Sequence, residues 1–136
     1  MNKRINEKIE EIEQFIQELN EIAPNNFDEY KIDLTKKAAC ERYAEKIMEA
    51  ITDLAFLIIK EKNLKIPKED AGAFFILSER GIISNELAQK LKDAKGMRNF
   101  LAHEYGKVDD EIIFNAVSEE LEKDIIKQIK EVKNDS

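Results

Sequence analysis

The chain has 136 residues, 43% of them hydrophobic and 38% charged, enough for one ordinary domain with a compact core under a heavily solvated surface. Its 22 Lys and Arg against 29 Asp and Glu leave a net charge of −7, the wrong sign for a general nucleic-acid binder. Only 4 Gly and 2 Pro interrupt it, so long helices can run, and no apolar run is long enough to cross a membrane, Leu54 to Ile59 being the best candidate.

Five helices are predicted from apolar spacing and caps. The first spans about Asn2 to Ile22, because Ile5, Ile9, Ile12, Ile16 and Leu19 recur at three- and four-residue steps. Pro24 stops it, and Asn25 and Asn26 make a turn. The second begins between Phe27 and Thr35 and runs to about Lys62, with Tyr43, Ile47, Ile51, Leu54 and Ile58 on one stripe. Ala50 to Ile59 is apolar nearly all round, which marks this helix as the central one. Asn63 to Pro67 form a loop, with Pro67 suited to the first turn of a short third helix, about Lys68 to Glu79.

Gly81 fits a left-handed cap after that helix. Ser84 is a good N-cap for the fourth, which carries Glu86 in its first turn, runs to His103 or Glu104 and exits at Gly106. The fifth starts near Asp109 or Asp110 and continues to about Val132, turning Ile112, Ile113, Val117, Leu121, Ile125 and Ile129 inward. No segment alternates as a strand would. The expectation is an all-α antiparallel bundle of about five helices forming a single domain over residues 1–136.

MNKRINEKIEE at the start has no apolar signal region, so the expected location is the cytoplasm. The lone Cys40 has no partner for an intramolecular disulfide and no Cys or His companions at zinc spacing, and reads as a small buried residue.

One helix carries unusual chemistry. Leu87, Leu91, Ala94 and Leu101 share a side of the fourth helix, and Arg98 falls on that same stripe, as does Tyr105 if the helix reaches it. An unpaired buried guanidinium costs several kcal/mol. Arg98 therefore either pairs with a core carboxylate such as Glu41, Glu49 or Asp53, or lines a cleft open to solvent. His103, the only histidine, is either a helix-end residue favoured by the helix dipole or a proton-transfer group. In a regular helix Arg98 and His103 lie about 140° apart. One unbroken helix cannot aim both at one ligand, so either the last turn unwinds near Ala102 or the site is assembled from two copies. Gly96, Phe100 and His103 face away from the leucine stripe, and a symmetric homodimer supplies the second packing surface most simply. Lys92, Lys95 and Lys107 either supply a local positive field or are ordinary solvated lysines.

The segment Arg98-Asn99-Phe100-Leu101-Ala102-His103-Glu104-Tyr105 resembles the R-x4-H-x-Y signature of HepT-like proteins in the HEPN superfamily of helical domains. Its flanks agree: Gly81-Ile82-Ile83, Gly96-Met97 and Val108-Asp109-Asp110-Glu111-Ile112 look like the family's surrounding pattern. Ala39-Cys40-Glu41-Arg42-Tyr43 and Glu49-Ala50-Ile51-Thr52-Asp53 are similar to its long second helix, so the resemblance covers Lys36 to Val132.

The resemblance implies a metal-independent ribonuclease toxin that needs no cofactor, forms homodimers with two motifs converging on a cleft, and is encoded beside a minimal nucleotidyltransferase antitoxin. It also implies that Tyr105 receives AMP from that partner. Arg98 and His103 are the implied catalytic pair, and Asn99 either orients the substrate backbone or is a plain polar helix residue. The competing readings are a non-catalytic helical partner that binds a nucleotide or a nucleotidyltransferase, and a purely structural bundle.

Overall fold

The computed structural model describes the backbone of residues 3–103 and 121–135; side chains at 71, 94, 96–103, 121, 122, 125 and 132–135 lie outside that description. Among the described residues there are six helices and no strand: α1 (Lys3–Ile22), α2 (Phe27–Ile32), α3 (Leu34–Glu61), α4 (Asp70–Glu79), α5 (Asn85–His103) and α6 (Leu121–Asp135). No described helix is long and apolar enough to cross a membrane.

The isoleucine stripe of α1 is buried as its spacing predicts, from Ile5 through Leu19, and it packs on α3. The predicted second helix is two helices. Asn26 opens α2, its side chain accepting from Glu29 N–H at 2.8 Å. Asp33 then leaves helical geometry, with φ −87° and ψ 94°. Its backbone N–H donates to the Glu29 carbonyl at 3.0 Å, closing α2, while its Oδ1 accepts from Lys36 N–H at 3.0 Å, opening α3. One residue thus ends one helix and caps the next, and a Lys36–Glu29 ion pair bridges the corner.

α3 is the central element: Ile47, Leu54, Ala55 and Ile59 have no exposure, and α1, α2, α4 and α5 all pack on it. Thr52, buried among them, satisfies its hydroxyl by donating to the Met48 carbonyl at 2.9 Å. The helix ends where Asn63 takes a positive φ of 56°, and Leu64 N–H returns to the Ile59 carbonyl at 2.9 Å.

Pro67 does not enter the next helix. α4 starts at Asp70 behind Glu69, which makes no side-chain cap, and the Pro67 ring lies instead against Gly72. A Cβ at Gly72 would come within 3.1 Å of the Pro67 Cβ, so the missing side chain permits this approach. Phe74 and Leu77 of α4 fill the core, and Gly81 takes the left-handed φ of 75° that ends the segment. Ser84 then caps α5, its hydroxyl accepting from Leu87 N–H at 3.0 Å.

α6 runs antiparallel to α5. Its Asp124 meets Lys90 at 3.9 Å and its Glu131 accepts from Ser84 N–H at 3.3 Å, the later residue on α6 meeting the earlier one on α5. Ile129 is buried as expected; Ile112, Ile113 and Val117 lie outside the described residues, as do the side chains of Leu121 and Ile125.

Gln128, on the α6 face between those two contacts, is fully buried, and neither amide atom has a hydrogen-bond partner among the described residues. A buried amide without partners forfeits its hydration for no return. Gln128→Met, which keeps the shape and removes the polar atoms, is expected to raise the unfolding free energy by about 1–3 kcal/mol in urea titrations. A loss of stability would show instead that the amide serves a partner.

Candidate active site on the last turns of α5

α5 is built as its sequence pattern requires. Leu87, Ala88 and Leu91 have no exposure and face α3 and α4. On the 100° helical step, the Cα of Arg98 falls at an azimuth between those of Leu87 and Leu91. Arg98 therefore stands on the inward stripe. Of the carboxylates weighed as its core partner, two are surface groups: Glu49 is exposed, and Asp53 is exposed beside Lys8 of α1 at 3.7 Å. Glu41 is half-buried.

The helix continues through Ala102 to His103, so the last turn does not unwind ahead of the histidine. Arg98, Asn99 and His103 all stand on the last two turns of α5, with Arg98 and His103 about 140° apart around its axis. Where their side chains go, and all of Tyr105, Gly106 and Lys107, lie outside the described residues.

Of the lysines near the motif, Lys92 and Lys95 are described, and Lys95 is not a plain solvated group. Lys95 is 7% exposed, and its ammonium lies 3.4 Å from Asp70 Oδ2 in the first turn of α4. The exposed Lys92 holds its ammonium 5.4 Å from the centre of the Phe75 ring. Both tether α5 to α4, antiparallel to it. The pattern contained a signal for Lys95: it follows Leu87 and Leu91 at four-residue steps. A lysine on an apolar stripe reads by default as a snorkelling surface group, and Asp70, its counter-ion, is remote in sequence.

Other perturbed groups are structural. Cys40 is buried, and loss of hydration, with Glu41 nearby, pushes its thiol pKa up, so it stays protonated. Burial and the Glu18 carboxylate push the Tyr43 hydroxyl up. The hydrogen bond from Lys36 lowers the Glu29 carboxyl, and Glu29 raises Lys36 in return.

A bundle of this fold is shared with HEPN-type proteins. Among solved structures, the tri-AMPylated HEPN toxin of Shewanella oneidensis, in complex with MNT antitoxin, superposes with a TM-score of 0.90 at 27% identity, covering 98% of this chain and 99% of that one. The chain belongs to the ribonuclease HepT-like family, whose model matches residues 5–132. Two relatives are similar: the mRNA nuclease HepT of Shewanella oneidensis, 27% identical over 122 residues (90% of this chain, 91% of that protein), and an Archaeoglobus fulgidus protein named "Putative RNase", 35% identical over 72 residues. The latter match spans 53% of this chain and 54% of that protein.

Proposed function

We propose that this chain, a single domain over residues 1–136, is a metal-independent endoribonuclease toxin of the cytoplasm, working as a homodimer through Arg98 and His103. The observation that carries the reading is the unbroken helix through His103, which puts the two backbone positions about 140° apart around its axis. One copy of α5 cannot converge them on a phosphate, whereas two copies related by a two-fold axis can. The family membership supports the same reading.

RNA carries its own nucleophile, so the protein supplies proton transfer, charge neutralisation and alignment. His103 removes the 2′-hydroxyl proton as the 2′-oxygen attacks phosphorus. The bond from phosphorus to the 5′-oxygen breaks, and that oxygen takes a proton. The products are a 2′,3′-cyclic phosphate and a 5′-hydroxyl. Arg98 binds the phosphoryl oxygens in bidentate fashion as charge develops on them, and Asn99 orients the substrate backbone. His103→Ala is expected to stay folded and dimeric while cleavage falls by about 10²–10⁴-fold, read as cyclic-phosphate product on a gel. Undiminished cleavage would contradict the role of His103.

The partner is a minimal nucleotidyltransferase antitoxin, a reading supported by the solved Shewanella complex, in which the toxin carries AMP. The Tyr105 phenolic oxygen attacks the α-phosphorus of ATP, a phenol–phosphorus bond forms, pyrophosphate leaves and the phenolic proton passes to solvent. The bulky anion then sits in the motif beside Arg98 and competes with the RNA phosphate for that cation. Incubation with the neighbouring nucleotidyltransferase and ATP is expected to add AMP units to the intact mass of the chain, and Tyr105→Phe to abolish the gain. A gain that survives Tyr105→Phe would exclude that residue as the acceptor.

A further inference from the structure

We propose that Lys95 is a second phosphate contact of the RNA cleft, held in place by Asp70 until substrate displaces it; the inference rests on the ribonuclease reading and adds a residue to it. The two partners of this ion pair are unequally placed. The lysine is 7% exposed, while the Asp70 side chain is 59% exposed, with 3.4 Å between ammonium and carboxylate. A carboxylate already open to water loses little by letting go. The buried ammonium has given up most of its hydration and requires an anion.

Phosphate is the anion the site would meet. Lys95 stands one helical turn before Arg98, about 4.5 Å along the axis. Lys92, Lys95 and Arg98 follow at three-residue steps, a row of cations on the last three turns of α5 in a chain whose net charge is −7. Like charges one turn apart destabilise a helix unless an anion lies between them. Asp70 supplies that anion from the amino end of α4, where Glu69 leaves the cap without a side-chain hydrogen bond. An RNA phosphate adjacent to the one gripped by Arg98 would take the place of Asp70, and the freed carboxylate would rehydrate. Lys95 thus touches the substrate backbone and sets affinity, while Arg98 faces the reacting phosphate.

The test uses the full-length protein and a fluorescent single-stranded 2′-O-methyl RNA of mixed sequence, which lacks the nucleophile and cannot be cut by this chemistry. Anisotropy gives the affinity across a potassium chloride series. Lys95→Met is expected to weaken binding and to flatten the slope of log affinity against log salt by about 0.7, the loss of one phosphate contact on a single strand. Lys95→Arg keeps the slope, and Asp70→Asn, which leaves the lysine in place, tightens binding. A Lys95→Met protein that binds with the wild-type slope, or an Asp70→Asn protein that binds more weakly, would overturn the proposal and leave the pair as a strut between helices. Cleavage of unmodified RNA by the wild type is read in parallel. A wild type that cuts, with a slope indifferent to Lys95, removes this contact alone; one that shows the slope change yet cuts nothing removes the ribonuclease reading alone.

Discussion

A cation on a buried helix stripe is the constraint on which the rest of this structure turns. Leu87 and Leu91 draw one side of α5 into the core, and the same side then carries Lys95 and the backbone position of Arg98. Apolar residues at those positions would hold the bundle together with less strain on its electrostatics, since a buried ion pair seldom outperforms well-packed hydrocarbon. For Lys95 the structure shows how the charge is tolerated, through Asp70 at the edge of α4. Arg98, one turn on, stands where the helix passes from core to the proposed cleft.

The acidity of the chain fits this picture. An excess of seven negative charges makes the general surface repel a polyanion. On the proposed reading, the row of cations on α5 supplies the local attraction, and RNA would be held by placement of a few charges over a short reach. Such a site is easily silenced: one added phosphate beside Arg98, as AMP on Tyr105 would bring, offsets much of the local positive field.

Most of the fold was legible because its punctuation is chemical. Pro24, Gly81 and Ser84 mark helix ends for reasons that hold without tertiary contacts, and the stripes of α1 and α3 follow from spacing alone. The corner at Asp33 was not legible: a single aspartate capping both ways interrupts no apolar period, so one helix was expected where there are two. Pro67 misled in the opposite sense, since its fixed φ suits a first turn but its ring packs on Gly72 from outside the helix. At the site, the arginine, asparagine and histidine stood out by pattern and all lie on α5. The burial of Lys95 did not stand out, because its counter-ion comes from a helix far away in sequence.

The central claim is that Arg98 of one chain works with His103 of another. Chains carrying Arg98→Ala and His103→Ala, each inactive alone, can be co-expressed with different tags and the mixed dimer isolated. A site shared between chains leaves one of the two sites of the mixed dimer intact, so about half the wild-type cleavage is expected to return. A mixed dimer as inactive as its parents would contradict the shared site and place both residues' work within a single chain.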